Sequence, residues 1–87
     1  MEYILKQFKV RTHTITIEGG MFGRIFRTLD GKWHFKVWNH LTQDYDCASL
    51  DTLNEIMGYL RNYCKVRNLR YTLEPTQIFR DFHNYIK

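Results

Sequence analysis

Between Arg24 and Trp38 the chain reads RIFRTLDGKWHFKVW, with basic residues interleaved among large aromatic and aliphatic ones. Successive side chains of a β-strand point to opposite faces. If this stretch is two antiparallel strands reversing at Asp30-Gly31, then Arg27, His34 and Lys36 project to one side. Trp38 stands beside them and Lys32 flanks them, as Lys9 or Arg11 can. Lysine and arginine neutralise phosphates and release their counterions, and an interleaved aromatic ring can stack on a base. Thr12, Thr14 and Thr16, expected on the same face, offer hydroxyls to backbone oxygens. Arg27, Lys32, His34, Lys36 and Trp38 are therefore the candidate binding residues, for DNA or RNA or for an acidic protein surface. The plain alternative is a solvated sheet face, since strands tolerate threonine and lysine. A second alternative has the last helix lying across this face and hiding Ile25, Leu29 and Trp38. No RNP-type or zinc-finger spacing accompanies the basic residues.

Other constellations point to less. The segment HLTQDYDC (His40 to Cys47) holds His40, Asp44, Asp46 and Cys47, all capable of ligating a metal. Their spacing matches no CxxC, HxxxH or EF-hand pattern. An exposed acidic turn ahead of a helix N-terminus accounts for them, because negative charge is favoured there. No metal and no cofactor are expected. His13, His34, His40 and His83 are dispersed, and His13, on the apolar face, reads as a packed residue. Cys47 with His40 is the candidate nucleophile and base, but a reactive cysteine also needs an orienting group and an oxyanion site. Gly19-Gly20 lacks the lysine and helix of a phosphate loop. The expectation is a protein that is not an enzyme. In the second half, Tyr59, Arg61 and Asn62 suit a protein contact, or tyrosine serves the wet edge of a small core.

The elements that must position these residues follow from periodicity. Asp-Gly favours a two-residue hairpin turn with positive φ at both positions. Such a loop pairs Thr28 with Trp33, Arg27 with His34, Phe26 with Phe35, Ile25 with Lys36 and Arg24 with Val37. A two-residue turn at Gly19-Gly20 pairs Ile17 with Phe22, Ile15 with Arg24 and His13 with Phe26. The two registers agree on one apolar face: Ile15, Ile17, Phe22, Phe26, Trp33, Phe35 and Val37. Residues 2–10 extend the first strand, with a bend or bulge that keeps Phe8 and Val10 off the polar face. Residues 39–47 read as a loop. SLDTLNEIMGYLRNYCKVRN then reads as a helix, with Leu53, Ile56, Met57, Leu60 and Cys64 at helical spacing. Ser49 or Thr52 can cap its start, Thr52 with Glu55 fits a capping box, and Asn68 fits a left-handed stop. Gly58 costs this helix about 1 kcal/mol relative to alanine, or it lets something approach closely. Tyr71 and Leu73 offer a short fourth strand or an extended connector. Pro75 suits the first turn of a last helix, whose apolar positions are Ile78, Phe79, Phe82, Tyr85 and Ile86.

Bulk properties bound the rest. At 87 residues the expectation is a single domain spanning 1–87. Residues 1–43 carry seven lysines and arginines against three acids, whereas bases and acids balance in residues 44–87, so the formal charge of +4 lies in the first half. Apolar runs of two or three residues are far too short for a membrane span. The first residues, MEYILKQFKV, lack a signal-peptide pattern, so the expected location is cytoplasmic. Two cysteines make no disulfide framework.

The expected fold is α+β: a three-stranded antiparallel meander, joined or not by a short fourth strand, packed with two helices in the order βββα(β)α. A three-stranded sheet followed by a helix is similar in outline to the DNA-binding modules at the amino ends of some integrases, although no motif is matched. The leading functional expectation is a small binding protein that uses its basic sheet face for nucleic acid. The alternative is a protein-interaction module or inhibitor, of the kind a phage or mobile element uses to block a host factor.

Overall fold

The computed structural model describes residues 9–86, with side chains described through residue 81. In chain order the elements are β1 (Lys9–Ile17), β2 (Met21–Thr28), β3 (Trp33–Asn39), β4 (Asp44–Leu50), α1 (Leu53–Arg67), β5 (Tyr71–Pro75) and α2 (Gln77–Ile86). The strands form one antiparallel sheet in the order β4-β3-β2-β1-β5. The class is therefore α+β, with two helices among the described residues, but with five strands there where three or four were expected. The outline likeness to a three-stranded integrase module ends there. The expected strand over residues 2–8 lies outside the described residues.

Both glycine reversals are one residue longer than expected. At Leu29-Asp30-Gly31, Gly31 N donates to Thr28 O at 3.0 Å, Thr28 N donates to Lys32 O at 3.1 Å, and Gly31 takes a φ of 91°. This is a three-residue loop whose last position needs the left-handed conformation that glycine adopts without steric cost. Ile17 pairs with Met21, so Glu18-Gly19-Gly20 is likewise a three-residue loop. Each loop shifts the register by one, and a one-residue shift turns a strand's side chains to the opposite face. The two shifts cancel between β1 and β3, and β2 alone is inverted. Phe35 accordingly pairs with Ile25, His34 with Phe26, Lys36 with Arg24, and Trp33 with Arg27. Ile25 goes to the core, while Phe22 and Phe26 leave the face expected for them.

The core is built from Ile15, Ile17, Ile25, Phe35 and Val37 of the sheet and Ile56, Leu60, Tyr63 and Cys64 of α1. Helix α1 covers this face, as its apolar spacing requires. Its start matches the Thr52 cap and not the Ser49 one, and its stop is the expected Asn68. Glu55 N donates to Thr52 Oγ1 at 3.2 Å, Thr52 Oγ1 donates to Glu55 Oε1 at 2.9 Å, and Asn68 closes the helix with a φ of 55°. The helix begins at Leu53 rather than near Ser49, because residues 44–50 form β4. That strand had read as a loop running into a helix: it is an exposed edge strand, and only Asp46, Ala48 and Leu50 are partly covered. Gly23 lies between Ile15 and Val37 in the register; a Cβ there would meet Lys36 O at 2.2 Å. Nothing lies within 4 Å of a Cβ built at Gly58, so close approach does not explain that glycine.

A bulge falls at Thr12, between Arg11 and His13, beyond residues 2–10 where one was expected. Thr12 Oγ1 donates to Ile25 O at 3.3 Å and lies 2.8 Å from His13 Nδ1, so its remaining lone pair accepts from that nitrogen. Both residues are buried. Burial holds the His13 imidazole below its ordinary pKa, and Phe79 of α2 lies 4.7 Å from its ring. Pro75 ends the edge strand β5, where a missing N–H breaks no ladder. Thr76, not Pro75, heads α2: its Oγ1 accepts from Phe79 N at 3.3 Å and donates to Arg11 O at 2.8 Å. Alternation puts His13 on the Ile15 side of β1, so Phe79 meets the sheet from the α1 side. The expected contributions of Phe82, Tyr85 and Ile86 lie outside the described side chains.

Candidate nucleic-acid interface

The sheet face opposite α1 is assembled in rows by the antiparallel register. One row crosses Arg11, Phe26, His34 and Ser49. The next crosses Glu74, Thr14, Arg24, Lys36 and Cys47, and a third begins Thr72, Thr16, Phe22. Trp38 pairs with Tyr45 at the same end as Phe22, and their rings meet edge-on at 5.1 Å. Thr14, Thr16, Phe22, Arg24, Tyr45, Cys47 and Ser49 are exposed. Phe22 keeps 64% of its surface in water. Lys36 Nζ stands 4.3 Å over the Tyr45 ring, and Lys9 Nζ stands 5.2 Å over that of Phe26. Each ring holds a cation on its face without neutralising it.

The five residues singled out from the sequence separate. His34, Lys36 and Trp38 share this outer face. Arg27 does not: inversion of β2 carries it to the α1 side, where its guanidinium lies 5.6 Å over Trp33. Lys32 is exposed and ion-paired with Asp51. That pair raises the Lys32 pKa, through the hydrogen bond first and then through charge. Of the three threonines, Thr14 and Thr16 are on the face and Thr12 is buried in the bulge. The last helix does not hide Ile25, Leu29 and Trp38: Ile25 is core, Leu29 is 58% exposed, and Trp38 rests against Tyr45. Sequence reasoning missed Arg24 and Phe26, which the expected register put on the apolar face, Arg24 at its rim, and Tyr45, Cys47 and Ser49 of β4. Little in the sequence marks β4: its covered side is Asp46, Ala48 and Leu50 and its exposed side Tyr45, Cys47 and Ser49, which is no clean alternation of apolar and polar residues.

A second feature lies at the β2–β3 turn end of the face. Lys9, Phe26, Thr28, Asp30, Lys32, His34 and Ser49 line a cleft of about 420 Å³. His34 Nδ1 is 2.8 Å from Ser49 Oγ and His34 Nε2 is 3.1 Å from Thr28 Oγ1, which donates in turn to Asp30 Oδ1. The Phe26 ring stacks on the imidazole at 4.9 Å and 9°. Burial lowers the His34 pKa, outweighing the Asp30 carboxylate, which raises it; Lys9 lowers it further.

The loop cluster once weighed as a metal site does not converge. Asp46 faces α1 and accepts from Tyr63 Oη at 2.6 Å and Asn39 Nδ2 at 3.0 Å, while Cys47 points to the outer face. Among the described residues no group of three His, Cys, Asp or Glu side chains could hold a metal ion. Cys47 and Cys64 are free thiols, exposed and buried respectively. No helix among the described residues is long and apolar enough to cross a membrane.

No family model, curated protein or solved structure matches the chain.

Proposed function

We propose that the chain is a small non-enzymatic binding protein whose outer sheet face takes nucleic acid as a single strand. The observation that carries this reading is the open face itself. Arg11, Arg24 and Lys36 rise from three adjacent strands, Lys9 stands at its rim, and Phe22, Trp38 and Tyr45 lie among them. Bases in a duplex hide their ring faces, whereas an unpaired strand presents them, and stacking on an aromatic side chain contributes about 1–3 kcal/mol per base. Phe22 and Tyr45 are exposed for that purpose. The threonine hydroxyls of Thr14, Thr16 and Thr72 are placed to meet backbone oxygens.

The test is a salt-titrated binding assay with single- and double-stranded DNA and RNA. If Lys9, Arg11, Arg24 and Lys36 each neutralise one phosphate of a single strand, log K falls against log salt with a slope of about −3. Arg24→Glu with Lys36→Glu abolishes binding, whereas Arg27→Glu, on the other side of the sheet, leaves it nearly intact. Absent or salt-insensitive binding to every nucleic acid overturns the reading. The rival, an interaction module or inhibitor that meets an acidic protein surface, draws support from one observation: Leu41 at the β3–β4 turn is 95% exposed, at the same end as Phe22 and Tyr45. Under that reading Leu41→Asp abolishes capture of a protein partner and nucleic acid has no effect.

A further inference from the structure

The cleft beside the β2–β3 turn contains a hydrogen-bond chain whose direction is fixed by counting protons. A threonine hydroxyl has one proton to give. Thr28 has two acceptors within reach, the Asp30 carboxylate and the Lys32 carbonyl, and neither can donate, so its proton goes to one of them and Thr28 Oγ1 can only accept from His34 Nε2. The neutral imidazole therefore carries its proton on Nε2, and its Nδ1 lone pair receives the Ser49 hydroxyl proton. In this state the chain runs from Ser49 through His34 and Thr28 to the Asp30 carboxylate. Ser49 spends its only donor inward.

A second proton on the imidazole must enter at Nδ1, and it reverses the first link. Nδ1–H then donates to Ser49 Oγ, and the serine proton turns outward. The geometry points to a proton-gated anion subsite: protonation of His34 adds one positive charge and frees one hydroxyl donor toward the cleft that Lys9 lines, and the ligand it admits is a phosphate group. The inference rests on the nucleic-acid reading above and makes the face a tighter binder in mild acid. Each element around the imidazole contributes a group that bears on this. Lys9 from β1 adds to the positive field. Asp30 in the turn supports the imidazolium through Thr28, and its carboxylate, which lines the same cleft, opposes an anion, so the site needs the added charge on His34. Lys32 is held by Asp51, and Ser49 comes from β4. Phe26 of β2 stacks on the ring, and its face favours the cationic form. Because burial lowers the His34 pKa, the gate opens below the ordinary histidine range.

Two probes read the subsite. Sulfate keeps its charge across this range and serves as the anion; a short oligothymidylate serves as the strand. With one linked proton, sulfate affinity rises by at most about tenfold per pH unit as the pH falls through the His34 pKa, and the imidazole resonances of His34 move with it. His34→Gln, which cannot gain the proton, flattens that dependence. Ser49→Ala, an exposed hydroxyl whose loss leaves the sheet unaltered, keeps the charge effect and lowers affinity in acid. The same pH dependence in His34→Gln overturns the inference, as does sulfate that shifts only His40. Oligothymidylate binding that is present but flat with pH refutes the gate while sparing the strand reading. A pH-linked sulfate site without oligothymidylate binding supports the subsite and counts against the strand reading.

Discussion

Tyr63→Phe removes one hydroxyl and leaves the rest of its ring's surroundings in place. The ring still packs at 5.3 Å against Phe35, and Arg67 still lies 3.7 Å above it. What is lost is the 2.6 Å hydrogen bond to Asp46 Oδ2 that ties α1 to the edge strand β4. Hydrogen bonds to charged groups contribute about 1.5–3 kcal/mol net. Asp46 is only partly buried and keeps the Asn39 bond, so the expected cost is about 1.5–2 kcal/mol, at the lower end of that range. For a chain of this size each kcal/mol moves Tm by about 4–8 °C. The cost should also depend on pH. The phenol is the largest cause of the lowered Asp46 pKa, followed by Asn39 after burial is set against it. A carboxylate whose folded pKa is depressed contributes stability that is present above its unfolded value, about 4, and is lost as pH falls through the folded value. The gap between wild type and Tyr63→Phe, measured by urea unfolding from neutral pH to about pH 2, should close across that window. A gap that stays constant down to the lowest pH refutes the ionic assignment, and one below about 0.3 kcal/mol refutes the bond's contribution to stability.

The two glycines away from the turns behave oppositely. Gly58→Ala stabilises the chain by about 0.5–1 kcal/mol, because it restricts the unfolded chain and meets nothing in the folded one. Gly23→Ala destabilises it by about 1–3 kcal/mol, since its Cβ collides with the Lys36 carbonyl and the Val37 side chain; thermal unfolding of the pair reads both. His13 and His34 both have pKa values lowered chiefly by burial. Their stability contribution is complete above the ordinary histidine value and declines as pH falls through the lowered ones. Urea unfolding should therefore show acid loss beginning before the carboxylates titrate, and His34→Gln should remove part of it.

Much of the architecture was legible because local chemistry and tertiary packing agree. Thr52, Glu55 and Asn68 mark the ends of α1 by their own side chains, and Ile56, Leu60 and Cys64 mark its buried stripe. Pro75 was placed within a residue or two but on the wrong element. The turns were legible as turns and not as lengths. Asp30-Gly31 suits a two-residue loop, but here Asp30 caps the backbone with its side chain, accepting from Lys32 N at 3.1 Å, and only Gly31 takes positive φ. One extra residue in each of two loops left β1 and β3 correctly phased and inverted the strand between them. The face expected to carry the candidate residues was thus legible only in part: His34, Lys36 and Trp38 share it, Arg27 lies on the other side, Lys32 is paired with Asp51 in the turn, and Arg24 and Phe26 lie on it unexpectedly. Strand β4 was obscured because an exposed edge strand has little apolar content to betray it.

Cys47 offers the most direct test of the outer face as the binding surface. It pairs with Lys36 in the register and is exposed, while Cys64 is buried and serves as an internal control. The rate at which a small alkylating reagent modifies Cys47 should fall when a single-stranded oligonucleotide saturates the protein at low salt, and recover when salt releases it. An unchanged Cys47 rate under conditions where the oligonucleotide is demonstrably bound would place the strand elsewhere and contradict the account.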